Sequence, residues 1–415
     1  MLKIFLQTIF SVQNIGKYKV ICILGIKIKF NKIKSLQRKI SQMPIQKNKI
    51  VFSNFTGKSY GCNPKYIAQE IIRQNLPYEL VWLVSDIKKE IEERNFPSQI
   101  RLVPNKCKEA FYELATAKVW VDNQRKNYYY RNGLVKKNNQ CYIQTWHGSF
   151  GIKKIEQEMD YELFPGFFEE AQLDSSYINY MLSNSNFDDN LFANYFWFNG
   201  PVIRTGHPRN DIFFKKEDFK QKIKQKLYDK YCIKKDKKLL IYIPTFRDNG
   251  KLYPYNLNIK KVLKEFSDKF NGEWCCLVRL HPRIQNISEK IYSYNENIID
   301  ASNYSDIQEL LFVADAAISD YSSCLFDFII TQRPAFIYAS DLQDFKAGRG
   351  FAYPLENSPF PIAEDFEELV SNIRNFNEIE YKNRSKNFLQ KLDWSDDGHA
   401  SEKVVEIIKK EISNI

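Results

Sequence analysis

The chain of 415 residues contains only four histidines, so the position of each one bears on the chemistry the protein could perform. His147 follows an apolar run at 141–144 that is typical of a β-strand, and Gly148 allows a tight turn and the close approach of a substrate. A histidine at a strand end can take a proton from an attacking hydroxyl near neutral pH. Lys153 and Lys154 add positive charge where a phosphorylated acceptor could bind. The alternative is a histidine that only hydrogen-bonds a neighbouring loop, followed by two surface lysines.

A second histidine, His281, ends the apolar run at 275–280, with Arg279 and Arg283 on either side of it. Strand alternation places Arg279 and His281 on the same face. Such a pair is suited to holding a pyrophosphate and to offsetting the charge on a departing nucleotide. The alternative is a basic strand end exposed to water.

Hydroxyl side chains follow a third apolar run, at 314–319, where Asp320 precedes Ser322 and Ser323. The next segment, 324–330, is apolar and typical of a helix. Helix N-termini bind phosphate oxygens through free backbone N–H groups, and the serine hydroxyls could join them. The alternative is that the serines only cap the helix.

Thr245 and Arg247 leave a fourth apolar run, at 239–243, and could face the same cleft. The alternative is a strand-to-loop turn with a surface ion pair. The sequence has no GxxxxGK[ST] loop, no HExxH and no cysteine–histidine cluster, which excludes P-loop, zincin and zinc-deaminase sites. No residue is therefore predicted to bind a metal, and the need for a divalent cation is left open.

These side chains must be positioned by the elements that precede them, and the pattern around them is that of βαβ units. Short apolar runs alternate with amphipathic stretches throughout, as in open parallel sheets covered by helices. The predicted strands are 50–52, 80–84, 100–103, 118–121 and 141–144 in the first half, and 239–243, 274–280, 297–299, 314–318 and 335–338 in the second. We predict two doubly wound parallel-sheet domains with a ligand cleft between the carboxyl ends of their strands.

The length exceeds what one hydrophobic core usually organises, which supports two domains. We predict a basic N-terminal appendage at 1–46, an N-terminal Rossmann-like domain at 47–215 and a linker near 215–236. A C-terminal Rossmann-like domain at 236–398 and a final helix at 399–415 follow. The apolar face of that helix favours packing, either within its own domain or back onto the first.

The composition also bounds the partners. A mean hydropathy of -0.47 argues against a polytopic membrane protein, and the longest N-terminal apolar run, 20–26, is far shorter than the ~20 residues of a membrane span. The net charge of +11 points to a polyanion: nucleic acid, anionic lipid or a phosphate-rich substrate. No nucleic-acid module is recognisable, so we expect no nucleic acid. Eight cysteines without a CxxC pair fit a reducing cytoplasm.

The lysines of the appendage indicate a peripheral contact with anionic lipid, each contributing roughly 1 kcal/mol. The alternative is a solvated tail or a sheet edge that the lysines protect from pairing.

Taken in order, the motifs resemble those of the CDP-glycerol glycerophosphotransferase family, the teichoic-acid primases and polymerases. The resemblance runs from about 50 to 408. It rests on segments 146–148, 153–154, 206–211, 244–248, 279–282, 320–323, 326–328, 333–334 and 349–351. Phe150 departs from the pattern, because the family often has a proline there.

The resemblance implies a GT-B-like architecture in which the C-terminal half binds CDP-glycerol or CDP-ribitol and the N-terminal half receives a lipid-linked polymer. It implies His147 as general base and His281 at the donor phosphates. The other implied donor contacts are Arg279, Ser322, Ser323, Arg247, Thr245 and Asp320, and the implied acceptor contacts are Trp146, Gly148, Lys153, Lys154 and Arg209. The reaction would release CMP at the cytoplasmic face of a bacterial membrane, with the enzyme bound peripherally and no covalently bound cofactor.

Two other functions share these sequence features. A GT-B glycosyltransferase using a nucleotide sugar has the same fold, and fold alone does not decide function. A polyanion- or membrane-binding protein without turnover would also be basic. Release of CMP from a CDP-polyol, rather than UDP from a UDP-sugar, distinguishes the first prediction from both.

Overall fold

The computed structural model describes residues 10–15, 18–24, 26–148, 150–159, 161–247, 250, 252–281, 283–284 and 288–413. Within that part of the chain, one three-stranded antiparallel sheet is followed by a seven-stranded and a six-stranded sheet, both parallel throughout. The prediction of two parallel-sheet α/β domains is thereby confirmed. Three motif residues, Ser149, Asp248 and Pro282, lie outside the described residues.

The N-terminal segment predicted as a basic appendage forms a small sheet and a helix. The elements are β1 (Phe10–Ile15), β2 (Tyr18–Ile23), β3 (Ile26–Asn31) and α1 (Lys32–Gln42). Asn31 starts the helix, because its side-chain oxygen accepts hydrogen bonds from the backbone N–H groups of Ile33 and Lys34. Ile40 fixes α1 to the next domain by packing into its core.

The seven-stranded sheet is built from nearly continuous apolar runs, as a parallel sheet covered on both faces requires. Its strands are β4 (Gln46–Ser53), β5 (Glu79–Val84), β6 (Ile100–Pro104), β7 (Ala117–Asp122), β8 (Cys141–Gln144), β9 (Tyr180–Ser183) and β10 (Val202–Arg204). The spatial order is β10-β9-β8-β7-β4-β5-β6. Its helices are α2 (Cys62–Arg73), α3 (Ile87–Glu92), α4 (Lys108–Thr116), α5 (Asn127–Arg131), α6 (Phe167–Tyr177) and α7 (Asn186–Tyr195). Strands β9 and β10 lie where the sequence predicted only a polar connection.

The six-stranded sheet repeats this plan. Its strands are β11 (Lys238–Ile243), β12 (Trp274–Val278), β13 (Ile298–Asp300), β14 (Ala316–Ser319), β15 (Ala335–Tyr338) and β16 (Ile362–Ala363), in the order β13-β12-β11-β14-β15-β16. The helices are α8 (Glu217–Tyr231), α9 (Ile259–Phe270), α10 (Ser288–Ile291), α11 (Ile307–Val313), α12 (Cys324–Phe328), α13 (Leu342–Ala347), α14 (Phe366–Arg374), α15 (Glu378–Lys391) and α16 (Ala400–Ser413). Short 3₁₀ segments occupy Glu156–Glu158, Pro208–Phe214, Tyr253–Tyr255, Ile329–Thr331 and Leu355–Asn357.

The two switch points of strand order explain where the site lies. In each sheet the order reverses beside the first strand, between β4 and β7 and between β11 and β14. Loops leave such a point in opposite directions and open a crevice at the carboxyl ends of the strands. His147 follows β8, Arg279 follows β12, and Thr245 and Ser322 follow β11 and β14, so all of them lie at these edges.

The predicted linker and the predicted final helix both pack into the core of a domain. The predicted linker near 215–236 is mostly helix α8, whose Ile223, Leu227 and Tyr228 are buried in the core of the second domain. The final helix α16 returns to the first domain, where Val404 and Ile408 pack in the cluster below the seven-stranded sheet. The burial of these apolar side chains holds the last helix on the first domain.

The two halves are also joined by buried polar and aromatic contacts. Lys65 in α2 forms ion pairs of 2.7 Å with Asp306 and with Glu309 of the second half. The Tyr66 hydroxyl donates to Asp306 at 2.9 Å. Phe150, the departure from the family pattern, is fully buried against the rings of Phe187, Phe326, Tyr353 and Phe388. The ring therefore fills a space between the halves.

Candidate active site

The carboxyl ends of the two sheets border one cavity of about 950 Å³. This volume lies within the range of protein sites that enclose small ligands. Most of the residues predicted for the site line it: His147, Lys153, Arg209, Thr245, Arg247, Arg279, His281, Ser322 and Ser323. The two histidines, from opposite halves of the chain, thus border the same space.

His147 is held by a single strong contact to the backbone. Its Nδ1 lies 2.7 Å from the carbonyl oxygen of Asn123, at the end of β7. Because a carbonyl oxygen only accepts hydrogen bonds, Nδ1 carries the proton in the neutral ring and Nε2 keeps a lone pair. The rings of Phe55 and Trp146 contact the imidazole at centroid distances of 5.3 and 4.5 Å and fix its plane. Nε2 is therefore a proton acceptor.

His281 has the opposite arrangement. The backbone N–H of Arg283 donates to His281 Nδ1 at 3.2 Å, so in the neutral ring the proton resides on Nε2. The imidazole is exposed and lies against Phe246 at 5.6 Å. His281 is thus suited to donate a hydrogen bond to a phosphate oxygen, whereas His147 is suited to accept a proton.

Arg279 reaches the cavity from the end of β12 while its own position is fixed. Its Nη1 donates to the carbonyl oxygens of Ala301 and Tyr304 at 3.2 and 2.6 Å. Burial lowers the pKa of the guanidinium from its usual value, and no carboxylate forms an ion pair with Arg279 among the described residues. Its charge therefore remains available for an anionic ligand.

The two serines are half-buried at the start of α12. Ser322 Oγ accepts a hydrogen bond from the backbone N–H of Cys324 at 3.3 Å, which is a local cap. The helix has only five residues, so the helix field predicted to hold a phosphate is small here. Phosphate contacts at this position would come mainly from the hydroxyls of Ser322 and Ser323.

Thr245 lines the cavity and has a buried hydroxyl. Its backbone N–H donates to both carboxylate oxygens of Asp320 at 2.8 and 3.0 Å, which fixes the loop after β11. Thr245 Oγ1 is buried and has no hydrogen-bond partner among the described residues. Leaving such a group unpaired costs about 1–3 kcal/mol, so a bound ligand is the natural acceptor or donor for it.

Asp320 and Arg247 hold this loop through ion pairs and hydrogen bonds. Arg247 forms two hydrogen bonds with Asp341 at 2.6 and 2.8 Å, pairs with Asp320 at 2.8 Å and donates to the Thr245 carbonyl at 2.6 Å. Two carboxylates thus neutralise its charge. Arg247 lines the cavity and Asp320 does not, and the phosphate contacts expected for both residues stay predictions.

Arg209 was expected to contact the acceptor, but its guanidinium is engaged elsewhere. It is fully buried and donates from Nε and Nη2 to the two oxygens of Asp327, at 3.0 and 3.1 Å. Its backbone N–H donates to Asn63 at 3.0 Å. Because Asp327 belongs to the second half, this pair joins the halves at the floor of the cavity.

Lys153 and Lys154 separate in the structure. Lys153 forms an isolated antiparallel bridge with Phe351 and lines the cavity, whereas Lys154 does not. The Lys154 backbone instead donates to Gly350 at 3.3 Å, and its carbonyl accepts from Arg349 Nε at 3.3 Å. Main-chain hydrogen bonds thereby join a segment of the first half to the second half, and Lys153 lies near Arg349 and Asp320 of the second half.

Trp146 and Gly148 flank His147 without lining the cavity. Trp146 has a φ of +50° and packs edge-on against Phe196 at 4.8 Å. A Cβ at Gly148 would lie 3.5 Å from Ser323 Oγ. Trp146 thus packs beside His147 within the first half, and Gly148 lies next to Ser323 of the second half; the acceptor contacts expected for both residues stay predictions.

The electrostatics of the cavity lower two pKa values. Burial, with the nearby charges of Arg209 and Lys153, lowers the pKa of His147 to about 4, although the hydrogen bond to Asn123 opposes this. Burial and the charge of Arg349 lower the pKa of Lys153 to about 8, against the pull of Asp320. At neutral pH His147 is thus neutral and Lys153 is mostly charged.

We expect a bell-shaped pH profile that follows these two groups. A base must be neutral, so kcat/KM should fall as the pH drops through about 4, and it should fall again above about pH 8 as Lys153 loses its charge. The acid limb of kcat should lie at higher pH, because bound phosphates stabilise the imidazolium. Lys153→Arg should move the alkaline limb upward, since arginine stays charged. Initial rates over pH, with fluorescence to verify folding, measure this; an unmoved alkaline limb in Lys153→Arg would contradict it.

Sequence reasoning missed the partners that hold the site. Asn123 orients His147, Asp341 holds Arg247, and Asp327 pairs with Arg209. The available signal for the first was a polar pair at a strand's carboxyl end: Asp122, the last residue of β7, and Asn123, which follows it. Among the described residues, no group of three or more His, Cys, Asp or Glu side chains is arranged to hold a metal ion.

Comparisons with known proteins agree with this geometry. A family model described as CDP-glycerol:poly(glycerophosphate) glycerophosphotransferase matches residues 35–410. The chain is 30% identical over 384 residues to a teichoic acid poly(glycerol phosphate) polymerase of Bacillus spizizenii, covering 89% of this chain and 94% of that protein. It is 28% identical over 383 residues to a teichoic acid glycerol-phosphate transferase of Staphylococcus aureus, covering 89% and 95%. The chain spans only 50% of a polymerase of Staphylococcus epidermidis, at 30% identity over 88% of its own length.

Solved structures give the same picture. The wall teichoic acid polymerase TagF superposes with a TM-score of 0.78 at 27% identity, covering 92% of this chain and 93% of that chain. A TagF variant soaked with CDPG gives 0.79, again at 27% identity, covering 92% and 93%. A UDP complex of S. aureus MnaA, at 14% identity and a TM-score of 0.53 over 88% of this chain and 98% of that one, shares the fold alone.

Proposed function

The chain belongs to the CDP-glycerol:poly(glycerophosphate) glycerophosphotransferase family, and from this premise we propose that it transfers glycerol phosphate from CDP-glycerol to a hydroxyl of a lipid-linked surface polymer. The fold is GT-B-like and the protein is an enzyme, a polyol-phosphate transferase that uses a CDP-activated donor. The choice of glycerol over ribitol, the lipid-linked acceptor and the residue roles below are our proposal.

One observation carries the proposal: two histidines with opposite hydrogen-bonding states border one cavity. His147 offers a lone pair on Nε2, and His281 offers an N–H on Nε2. Transfer of a phosphoryl group requires one group that removes the proton of the attacking hydroxyl and another that binds the developing charge.

The reaction follows from this arrangement. The acceptor oxygen attacks the glycerol-bearing phosphorus in line with the bond to the CMP oxygen, and that bond breaks as the new one forms. The proton of the acceptor hydroxyl moves to His147 Nε2. CMP departs with the bonding electron pair, and His147 returns its proton to solvent. The glycerol phosphate stays attached to the acceptor through a phosphodiester.

Binding of the donor falls to the second half of the chain. Arg279 and His281 bring positive charge or N–H donors to the diphosphate, and Ser322 and Ser323 add hydroxyls. The unpaired hydroxyl of Thr245 completes this set. Lys153 contributes a positive charge from the first half, close to the donor rather than to the acceptor as the sequence suggested.

Binding at a membrane is the second part of the proposal. A lipid-linked acceptor requires access to a bilayer, and the lysine-rich N-terminal segment supports a peripheral contact with anionic lipid at its cytoplasmic face. No helix among the described residues combines the length and the hydropathy that a membrane span requires.

A donor screen tests the reaction. The purified chain is incubated in parallel with CDP-glycerol, CDP-ribitol and UDP-sugars, and released nucleotides are separated by chromatography. We expect CMP from CDP-glycerol in the presence of acceptor, and less from CDP-ribitol. Release of UDP without CMP would show a glycosyltransferase and overturn the proposal. Release of neither UDP nor CMP would indicate a binding protein.

A further inference from the structure

The N-terminal sheet has one face that is almost entirely apolar. The strand registers place Phe10, Ile23 and Ile26 directly opposite one another, and likewise Val12, Ile21 and Ile28. Side chains at directly paired positions share a face. Phe30 follows on the same face of β3, two residues beyond Ile28. The apolar sheet face is therefore Phe10, Val12, Ile21, Ile23, Ile26, Ile28 and Phe30.

This face is open to solvent, whereas the middle strand of the opposite face is covered. Ile26 is 67% exposed and Phe10 58%, and of the seven residues only Ile21 is intermediate in exposure. On the other face Val20 and Cys22 are 7% and 8% exposed. A contiguous exposed apolar face is rare on a soluble protein and marks a surface that binds a partner or a membrane.

The charge around this face identifies its occupant. Residues 1–46 contain 9 of the 61 Lys and Arg residues and none of the 50 Asp and Glu residues, so the other 369 residues carry 52 basic and 50 acidic side chains. Most of the net positive charge of the protein is thus concentrated in this segment. Lys19, Lys27 and Lys29 in the sheet and Lys34 and Arg38 in α1 are exposed.

We propose that the apolar sheet face inserts into the interface of an anionic lipid bilayer, which rests on the peripheral membrane contact proposed above and assigns it to a specific surface. Apolar side chains that enter the acyl boundary, bordered by cations that meet lipid phosphates, are the general requirement for interfacial binding. A second copy of the chain fits less well, because face-to-face pairing would bring two strongly cationic segments together.

The sheet is thin enough for both contributions to act at once. Lysines on the opposite face, such as Lys27 and Lys29, lie roughly 10 Å from the apolar side, which is the thickness of one sheet layer. This is slightly more than the Debye length of about 8 Å at physiological salt, so screening weakens their attraction to anionic headgroups without abolishing it. Lys19 pairs directly with Phe30 in the register and adds a cation at the apolar face itself.

The test uses the full chain and sedimentation with vesicles. We expect binding to vesicles of phosphatidylglycerol and phosphatidylcholine, part of which survives at about 0.5 M salt because apolar contacts are not screened. Ile26→Ser/Phe30→Ser should weaken the partition by about tenfold or more. The matched control Ile91→Ser/Ile379→Ser changes two residues that are 61% and 76% exposed on distant helices, and it should bind like the unmodified chain.

Other outcomes separate the failures. Equal vesicle binding by Ile26→Ser/Phe30→Ser, or complete loss of binding by the unmodified chain at high salt, overturns insertion of the face. If light scattering shows that Ile26→Ser/Phe30→Ser converts a dimer to a monomer while vesicle binding is unchanged, the face binds a second copy of the chain instead of a membrane. CMP release with a soluble acceptor is measured in the same samples. If the unmodified chain releases no CMP, the proposed reaction is refuted. If it releases CMP normally but does not bind vesicles, only the membrane contact is refuted.

Discussion

Replacing His147 by alanine should lower the rate of CMP release by about 10²–10⁴-fold, the usual contribution of a general base. Among the described residues the ring makes one hydrogen bond, to the Asn123 carbonyl, and His147 lines the cavity. The thermal transition should therefore shift by no more than about 2–4 °C. Initial rates at saturating CDP-glycerol and a thermal melt of the same preparation measure both effects.

His147→Gln sharpens this test. A glutamine amide can donate to the Asn123 carbonyl as Nδ1–H does, but it cannot take a proton, so the rate should remain low. His399→Ala is the matched control, because this imidazole is exposed on the surface and pairs with Glu402 at 3.0 Å. Turnover of His147→Ala equal to that of the control would remove the base from the mechanism, and recovery in His147→Gln would reduce His147 to a positioning residue.

Breaking the buried pair between Arg209 and Asp327 should cost about 3–5 kcal/mol of folding free energy, because the remaining charge stays buried without its partner. Arg209→Met removes two hydrogen bonds from the Asp327 carboxylate, which also accepts from Gln308 at 3.0 Å. Asp327→Leu removes the same two hydrogen bonds from the guanidinium. Urea denaturation midpoints, read from tryptophan fluorescence, measure the loss in each variant.

The double variant Arg209→Met/Asp327→Leu should recover most of that stability, since apolar groups of similar size can replace a buried ion pair. The control is Arg374→Met, which breaks an ion pair of 2.7 Å with Glu265 where the arginine side chain is 65% exposed. That change should cost at most about 1 kcal/mol. A double variant as unstable as either single one would show that the pair does more than neutralise two charges.

The positions of the chemically active residues could be read from the sequence because of a property of parallel sheets. Strands buried on both faces appear as continuous apolar runs, and their carboxyl ends meet at one edge. His147, Arg279, Thr245 and Ser322 each follow such a run, and each lines the cavity. For these residues, location in the chain was enough to predict location in the fold.

The partners of the charged residues could not be read in the same way. Arg247 and Arg209 stand in motifs beside the cleft, but their carboxylates, Asp341 and Asp327, follow 94 and 118 residues later. A sequence pattern shows that a charge is near the site, not that another charge neutralises it. This is why Arg209 was expected at the acceptor although its guanidinium joins the two halves.

The sheet of the N-terminal segment was only partly predictable from the sequence. Residues 26–30 alternate between apolar residues and lysines, a pattern that predicts a strand, and this segment forms β3. The paired strands β1 and β2 were not predicted, because alternation within one strand does not reveal which other segment lies beside it. The apolar sheet face exists only through that pairing, so it could be recognised only in the structure.

The segment around Lys153 holds the two halves together through the main chain. Main-chain hydrogen bonds join 152–154 to 350–352, among them one of 2.8 Å from Ala352 to Ile152, only a few residues after His147. Bonds between backbone groups do not depend on the identity of the side chains, so substitutions at these positions leave the donors and acceptors in place. The spacing between His147 and the second half is therefore set by the backbone, and we expect it to tolerate changes in the side chains around it.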